Sequence, residues 1–335
     1  MKRWVKVLLI ILAILAFVVF VLPMLIPLPT VGVDAETLAG PGGIFIDVKG
    51  MQTYVLEAGD KDAPVVLLLH GFGGSTFSWR EQMDVLAEAG YRAVAFDRPP
   101  YGLSTKTGDL PLTQQEQADF TAAVMDALGI ESAVLVGHSM GGGVVGQFGA
   151  RYPERADGLV FVDGAPAVGE AGSSAAGGAA SGAASVVNGI LSLPPIERWA
   201  RLLVRAVLTP EAFTGILTSA YYDPAVVTPE VAAGYQRQLR VKDWDEGLVN
   251  LFSGSGGGFA PLSDEQLESY TMPVAIFWGE NDTWVPITAG ESLRDALPAA
   301  QWFTFAESGH LPMEEHPAEF NRDLLAFLEG ALPVS

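Results

Sequence analysis

A serine between two glycines is the first residue of this chain whose setting points to chemistry. Residues 137–141 read Gly-His-Ser-Met-Gly, directly after the aliphatic run 133–136 and before a stretch that is typical of a helix from Gly142 onward. A sharp turn from a strand into a helix holds such a serine hydroxyl exposed at its tip. We therefore predict that Ser139 is a nucleophile. A glycine-rich turn without a chemical role is the alternative.

A serine hydroxyl needs a base to take its proton, and histidine suits this task because its ordinary pKa is ~6.5. The chain has four histidines. His310 follows the predicted strand 302–305, and the carboxyl ends of parallel strands are where such sheets place reacting groups. We predict His310 as the base. No catalytic role is assigned to the other three, which are His70, His138 and His316.

The base in turn needs a carboxylate that fixes its tautomer and stabilises the imidazolium. Asp282 follows the predicted strand 274–278. With Asp282 the order along the chain is serine, acid, histidine, which is the order that accompanies this type of serine turn. We predict Asp282 as that acid. Asp163, after the predicted strand 159–162, is the second candidate, and Glu280 is a weaker third.

Acyl transfer also needs two backbone N–H groups aimed at the developing oxyanion. The loop after the predicted strand 64–69 reads His-Gly-Phe-Gly-Gly at residues 70–74, and its glycines allow close approach of the backbone to a substrate. We predict the amides of Phe72 and Met140 as the two donors. Taken alone, the loop could be a simple glycine turn.

The elements that must position these residues alternate along the chain. Continuous aliphatic runs predict buried strands, and helical spacing between them predicts helices on both faces of a mostly parallel sheet. Residues 78–89, 112–128 and 317–328 are predicted helices, and 113–116 form a predicted capping box. The predicted strands are residues 44–48, 52–56, 64–69, 91–96, 132–136, 159–162, 274–278 and 302–305.

The alternation lapses between residues 166 and 270, where only helical segments are recognisable, at 196–208, 210–220 and 229–239. Residues 171–185 and 253–258 are almost entirely Ala, Gly and Ser, a composition of flexible chain. We predict a helical lid with hinges at these segments; surface loops of no consequence are the alternative. Its aromatic residues are candidates for lining a pocket or for packing within the lid: Phe213, Tyr221, Tyr222, Tyr235 and Trp244.

The N-terminus predicts a membrane anchor over residues 1–29, followed by a linker over 30–43. Lys2, Arg3 and Lys6 precede a span of ~20 apolar residues, which is long enough to cross a bilayer. Basic residues on that side place the N-terminus in the cytoplasm and the remaining chain outside it. Secretion after signal cleavage is the alternative.

Composition excludes several classes of site and partner. The 335 residues include no cysteine, so disulfides and a thiolate nucleophile are excluded. The formal net charge of −20 disfavours nucleic acid as a partner. No metal and no organic cofactor is implied.

These motifs together resemble the α/β-hydrolase superfamily. The resemblance covers residue 44 to the C-terminus and implies an eight-stranded, mostly parallel sheet with a helical cap after the sixth strand. It divides the chain into a core over 44–165, a cap over 166–270 and a second core part over 271–335. Pro100 replaces a glycine that the family usually has in the turn after the strand 91–96. The motifs lie at residues 70–74, 96–104, 137–142, 279–282 and 308–317.

The resemblance implies hydrolysis, and the serine nucleophile argues against relatives that use aspartate. We predict a serine hydrolase that cleaves a neutral ester with an apolar acyl chain. A carbon–carbon bond hydrolase or a perhydrolase with the same triad is the main alternative. A binding or receptor protein that has lost catalysis is a remote one. The sequence predicts neither the physiological substrate nor the oligomeric state.

Overall fold

The computed structural model describes residues 2–166, 168, 193–253 and 261–332. Its centre is an eight-stranded sheet with the strand order β1-β2-β4-β3-β5-β6-β7-β8. The strands are β1 (Gly43–Val48), β2 (Met51–Ala58), β3 (Val65–Leu69), β4 (Arg92–Phe96), β5 (Ala133–His138), β6 (Ala156–Val162), β7 (Val274–Gly279) and β8 (Gln301–Phe305).

The six strands β3 to β8 pair in parallel, and β2 runs antiparallel to both of its neighbours, β1 and β4, near one edge. All five residues of β3 are buried, because an aliphatic run presents apolar side chains to both faces of the sheet. Leu67 packs in one hydrophobic cluster and its neighbours Val66 and Leu68 pack in another, on the opposite face. The predicted doubly wound, mostly parallel sheet is therefore confirmed.

Helices cover both faces. The capping box predicted at Thr113 and Glu116 is present, with Glu116 N–H donating to the Thr113 side chain at 3.1 Å. The helices are α1 (Arg3–Leu25), α2 (Arg80–Glu88), α3 (Gln114–Ala127), α4 (Met140–Arg151), α5 (Pro194–Val207), α6 (Pro210–Thr218), α7 (Pro229–Gln236), α8 (Trp244–Ser253), α9 (Asp264–Glu268), α10 (Ile287–Ala296), α11 (Pro312–Glu315) and α12 (Pro317–Ala331).

Helix α1 has 23 residues and a mean hydropathy of 3.3, and its most apolar stretch lies outside the protein interior. By length and composition it could cross a membrane. A short π-helical turn, Phe17–Val21, interrupts its α-helical pattern.

The predicted linker is a packed connection in the structure. Val33 forms an isolated parallel bridge with Val241, and Ala35–Leu38 forms a 3₁₀ turn. Leu38 packs with Val241 and the buried Tyr54.

The segment between β6 and β7, called the insertion below, contains helices α5 to α9 in its described part. Apart from the isolated bridges Val168–Leu262 and Val33–Val241, those described residues form no strand. The predicted hinge 171–185 lies outside the described residues. Ser253 ends α8, and the rest of the predicted hinge 253–258 is also outside them.

Candidate active site

Ser139 lies at the tip of a tight turn between β5 and α4. Its φ of 53° and ψ of −120° are strained values for a residue with a side chain. A Cβ on Gly137 would lie 2.4 Å from the carbonyl oxygen of Gly141, and one on Gly141 would lie 2.4 Å from that of Leu69. Both glycines are therefore required by the close approach of strand, turn and helix.

Ser139, His310 and Asp282 form a chain of hydrogen bonds. The Nδ1 atom of His310 lies 2.6 Å from the Asp282 carboxylate, and its Nε2 atom lies 2.9 Å from Ser139 Oγ. Because a carboxylate only accepts, Nδ1 is the donor and Nε2 is left to accept the serine proton. The other carboxylate oxygen of Asp282 accepts the N–H groups of Trp284 and Val285, at 2.7 and 2.9 Å. The structure thus brings together the three residues predicted as nucleophile, base and acid.

Asp163, the second acid candidate, is also close to His310. Asp163, Asp282 and His310 each offer a ligand atom, and these atoms lie within 4.8 Å of one another. Asp163 is fully buried and accepts the N–H of Gly279 at 2.8 Å. Burial, followed by the negative charge of Asp282, raises the pKa of Asp163 well above its usual range.

Two carboxylates and one imidazole are groups that could ligate a metal ion. The short bond from His310 to Asp282 already occupies Nδ1, however, and that geometry belongs to a hydrogen-bonded pair. Glu280, the third acid candidate, is exposed.

Two further histidines lie beside the site, and their ring nitrogens bond to groups other than the Ser139 hydroxyl. His138 Nε2 lies 2.7 Å from the carbonyl oxygen of His310, and its ring lies 4.8 Å from the His310 ring. His70 Nε2 accepts the N–H of Arg98 at 3.0 Å. Burial, helped by neighbouring positive charge, lowers the pKa of both rings well below 6.5, which keeps them neutral. His316 lies in a more exposed position with Nε2 3.3 Å from the carbonyl oxygen of Glu307.

The loop 70–74 lies against the serine turn. A Cβ on Gly71 would lie 2.8 Å from the Cβ of Ser139, so the loop carrying Phe72 passes directly beside the nucleophile. Met140 begins α4, and the first N–H groups of a helix have no partner within that helix. Gln238, from the insertion, donates to the carbonyl of Gly73 at 2.5 Å. Sequence reasoning missed this glutamine, since no motif marks it.

Sequence reasoning also missed Lys106. Its ammonium donates to the carbonyls of Tyr101 and Gly102 at 2.9 and 2.6 Å, in the turn that contains Pro100. Burial lowers the pKa of Lys106 to about 7, against the opposing influence of the Asp97 carboxylate. A buried lysine after the Asp-x-Pro turn carries no general sequence signal.

Comparison with known proteins identifies the family. The sequence model of the alpha/beta hydrolase fold matches residues 64–317. The chain belongs to the α/β-hydrolase family. The predicted resemblance is confirmed, and the protein is a hydrolase.

The proteins that this hydrolase resembles are named for different substrates. A 2-hydroxy-6-oxononadienedioate/2-hydroxy-6-oxononatrienedioate hydrolase of a Pseudomonas species is 29% identical, over 85% of this chain and 95% of its own. One from Paraburkholderia phymatum is 30% identical, over 78% and 86%. Among solved structures, a bacterial membrane phospholipase A matches with a TM-score of 0.69 and 25% identity, over 100% of both chains.

Two adjoining cavities lie near the candidate site, and only the smaller one is bordered by a triad residue, His310. A small cavity of about 60 Å³ is bordered by His310 and Trp284, and a large cavity of about 430 Å³ lies beneath the insertion. Phe72 and Phe213 border both, so the two cavities adjoin there. Lys106 is the one charged residue among the described residues that line the large cavity. The aliphatic wall of the large cavity includes Leu203, Val207, Ile216, Leu239, Leu248 and Leu251.

The five aromatic candidates of the insertion divide between pocket and packing. Phe213 and Trp244 line the large cavity, whereas Tyr235 borders the small one. Tyr221 is buried away from the large cavity, and Tyr222 is 49% exposed.

Glu314 and Glu315, which follow the base in sequence, join the insertion to the core. The buried Glu314 carboxylate accepts the hydroxyl of Tyr221 at 2.6 Å, the hydroxyl of Tyr235, and a guanidinium N–H of Arg80 at 2.7 Å. Glu315 accepts the N–H of Tyr222 at 2.7 Å with one oxygen. These contacts attach the insertion directly to the loop that carries His310.

Glu315 also accepts the N–H of Gly309 at 2.7 Å, with its other oxygen. The N–H of His310 itself donates to the carbonyl of Ala220 at 2.7 Å. The only sequence signal for this joint is the pair of acidic residues beside the predicted base, and that signal does not name its partners.

Proposed function

We propose that this chain is a serine hydrolase that cleaves a neutral carboxylic ester with an apolar acyl chain through an acyl-enzyme. The observation that carries the proposal is the hydrogen-bonded chain Asp282–His310–Ser139, with a largely aliphatic cavity that adjoins the small cavity beside His310. A nucleophile with a base and an orienting acid performs acyl transfer, and an aliphatic cavity accommodates an apolar chain.

In the first half-reaction, Ser139 Oγ attacks the ester carbonyl carbon while its proton passes to His310 Nε2. The imidazolium is stabilised by the Asp282 carboxylate on Nδ1. The C–O bond to the alcohol then breaks, and His310 gives its proton to the leaving oxygen. In the second half-reaction, water attacks the acyl-enzyme, His310 takes a proton from the water, and Ser139 regains its proton as the acid leaves.

We assign the oxyanion donors to the backbone N–H groups of Phe72 and Met140. Support comes from the contact of Gly71 with Ser139 and from the position of Met140 at the start of α4. Each such donor contributes roughly 3–4 kcal/mol to transition-state stabilisation in known cases. No cofactor is needed for these steps.

The chain's organisation fits this activity at a membrane. Residues 1–29 serve as an anchor with a cytoplasmic N-terminus, 30–43 connect it, 44–165 and 271–335 form the core, and 166–270 form the cap. Support comes from the length and composition of α1 and from the whole-chain likeness to a membrane phospholipase A. The lipid bilayer is then a partner, and the core lies outside the cytoplasm.

Labelling by a fluorophosphonate probe and turnover of nitrophenyl esters test the ester activity. We expect Ser139→Ala to abolish labelling and to lower ester turnover by roughly 10³-fold or more. Ser292→Ala is the matched control, because Ser292 only bonds within its own helix, donating to Thr288 at 2.8 Å. A folded chain that is neither labelled nor active on any ester would reject the proposal and would favour a binding protein.

Carbon–carbon bond hydrolysis is the second candidate, because relatives at 29% and 30% identity are named for dienedioate substrates. The observation that favours it is Lys106, a buried ammonium in the cavity wall that could pair with a carboxylate. Kinetics with a ring-fission dienoate and with a long-chain nitrophenyl ester decide between the two. A kcat/KM higher for the dienoate would replace the ester proposal. Perhydrolysis is tested in the same panel by adding peroxide.

A further inference from the structure

Two prolines leave two backbone carbonyls near the end of helix α1 without the helical donors they would otherwise have. In the π-helical turn, the N–H of Leu22 donates to the carbonyl of Phe17, so the next donor in this register is position 23. Position 23 is a proline, which has no N–H, and the carbonyl of Val18 is left over. Pro27 likewise cannot donate to the carbonyl of Pro23, four residues earlier.

Side chains of α5 satisfy both carbonyls. Trp199 Nε1 donates to the carbonyl of Val18 at 3.1 Å, and Arg198 Nε donates to that of Pro23 at 2.5 Å. A second N–H of Arg198 donates to the carbonyl of Ile26 at 2.6 Å. Polar groups of a membrane helix must find partners within the protein, so these bonds fix α5 against the end of α1. We call this set of contacts the α1–α5 joint.

Helix α5 turns its charges inward and its apolar side chains outward. Arg201 and Arg205 are only 15% exposed, and both bind Asp245, whose side chain is fully buried. Leu203 and Val207, in contrast, are 63% and 62% exposed. A helix in water shows the opposite arrangement, because exposed apolar surface is unfavourable there. The outer side of α5 is therefore suited to an apolar surrounding.

The outward apolar stripe connects the α1–α5 joint to the large cavity. Trp199, Leu203 and Val207 follow one another at four-residue intervals, so they lie on one face of α5. Trp199 contacts α1, whereas Leu203 and Val207 border the large cavity together with the exposed Ile216. One continuous surface thus runs from the anchor to the mouth of the cavity.

The anchor sets the depth of this surface. At ~1.5 Å per residue, a helix of this length spans about 35 Å, slightly more than the ~30 Å of a bilayer core. Arg198 contacts Pro23 and Ile26, at the end of the span, which places α5 at the membrane–water boundary. Tryptophan and arginine are common at that boundary.

We infer that the stripe Trp199–Leu203–Val207 lies in the outer edge of the bilayer and opens the large cavity toward the lipid. The substrate is then an ester lipid that resides in the leaflet and enters acyl chain first, without passing through water. This inference rests on the proposed ester activity for its substrate and on the α1–α5 joint for its geometry.

Site-directed labelling tests the location without reference to activity. The natural chain has no cysteine, so Leu203→Cys in the full-length protein can carry a single environment-sensitive fluorophore. In phosphatidylcholine vesicles that contain spin-labelled lipid, we expect loss of fluorescence at position 203. Glu131→Cys is the control, because Glu131 is exposed before the amino end of β5, whereas the insertion follows the carboxyl end of the parallel strand β6. Equal quenching at both positions would overturn the inference.

A blue-shifted but unquenched label at position 203 would mean that protein, such as a second copy of the chain, covers the stripe. That result would also overturn the inference.

The α1–α5 joint is tested by Arg198→Ala. We expect the turnover of a long-chain ester embedded in vesicles to fall about tenfold, because the mouth loses its fixed position at the leaflet. Turnover of the water-soluble nitrophenyl butyrate should stay unchanged, since the triad is not touched. Arg155→Ala is the matched control: Arg155 donates to the carbonyls of Ile130 and Glu131, far from α1.

An unchanged ratio of the two activities in Arg198→Ala would contradict the inference, as would an equal fall in both. Absence of nitrophenyl butyrate turnover in the unaltered chain would instead reject the proposed ester activity. The labelling result would still report where position 203 lies.

Discussion

Around Ser139 polar groups are buried and paired, whereas along α5 apolar groups are exposed and charges are covered. Asp282 uses three short hydrogen bonds to hold its carboxylate, and the His310 ring is 3% exposed. Leu203 on α5 is 63% exposed. The first region is organised to fix a proton path, and the second to meet an apolar surrounding.

The difference teaches where each property of the hydrolase resides. Sheet strands and tight turns determine the triad geometry, and short sequence motifs encode them. In the proposed function the insertion selects the molecule that reaches Ser139, and its packing is encoded by no short motif. Substitutions in the first region should therefore change the rate for every substrate, and substitutions in the second should change the preference among substrates.

The largest effect is expected for Asp282→Asn. An amide in place of the carboxylate stabilises the wrong tautomer of His310, so kcat should fall roughly 10⁴-fold for every ester tested. Steady-state kinetics with short and long nitrophenyl esters measure it. A loss confined to long esters would break the division between the two regions.

Glu314→Ala should destabilise the fold by about 2–3 kcal/mol, because it leaves the Arg80 guanidinium and two tyrosine hydroxyls without their shared acceptor. Urea unfolding of the detergent-solubilised protein measures the loss. Glu319→Ala is the control, since its exposed pair with Arg322 contributes less than about 1 kcal/mol. An equal loss of unfolding free energy in both variants would mean that the contacts of Glu314 between insertion and core contribute little to stability.

Leu248→Trp fills part of the large cavity and should lower kcat/KM for long acyl chains at least about tenfold, while short chains are still accepted. A series of nitrophenyl esters of graded length gives the measurement. The volume-conserving Leu248→Met should leave the series nearly as it is. A uniform loss across the series would place Leu248 outside the acyl site.

Inhibition by a medium-chain carboxylate should depend on Lys106. With its pKa lowered to about 7, this lysine is charged below that pH and neutral above it. The inhibition constant should therefore rise up to about tenfold between about pH 6 and pH 8, as the protonated fraction falls. Lys106→Met should remove this component. Identical pH profiles for the two proteins would show that the ammonium does not face the ligand.

The smallest effect is expected for Asp163→Asn. Burial, followed by the negative charge of Asp282, raises the pKa of Asp163 well above its usual range, which favours the neutral form that an amide resembles. Activity should fall by less than about threefold. A loss as large as that of Asp282→Asn would instead make Asp163 the orienting acid.

Much of the fold could be predicted because its strands are buried on both faces. A run such as Val65–Leu69 has no polar alternation, and its short length favours a central strand over a buried helix. Helix α10 was missed, since its sequence has only a weak apolar stripe and contains Gly290.

The candidate site divides in the same way. Ser139, Asp282 and His310 each follow a strand, so their convergence could be expected from parallel topology alone. Glu314 and Gln238 could not be assigned, because their partners lie far away in the sequence and depend on how the insertion packs. Lys106 could not be assigned for another reason: its partners are near in the sequence, but no motif marks a lysine at that position. The α1–α5 joint depends on proline positions in one helix and donors in another, which only coordinates relate.

The two-sided carboxylate of Glu315 has a practical consequence for engineering. It holds Tyr222 of the insertion with one oxygen and Gly309, next to the base, with the other. Anyone who grafts a foreign lid onto this scaffold must splice it beyond residue 223. A junction at or just before Tyr222 would disturb the position of His310, and the chimaera would lose turnover before its new selectivity could be measured.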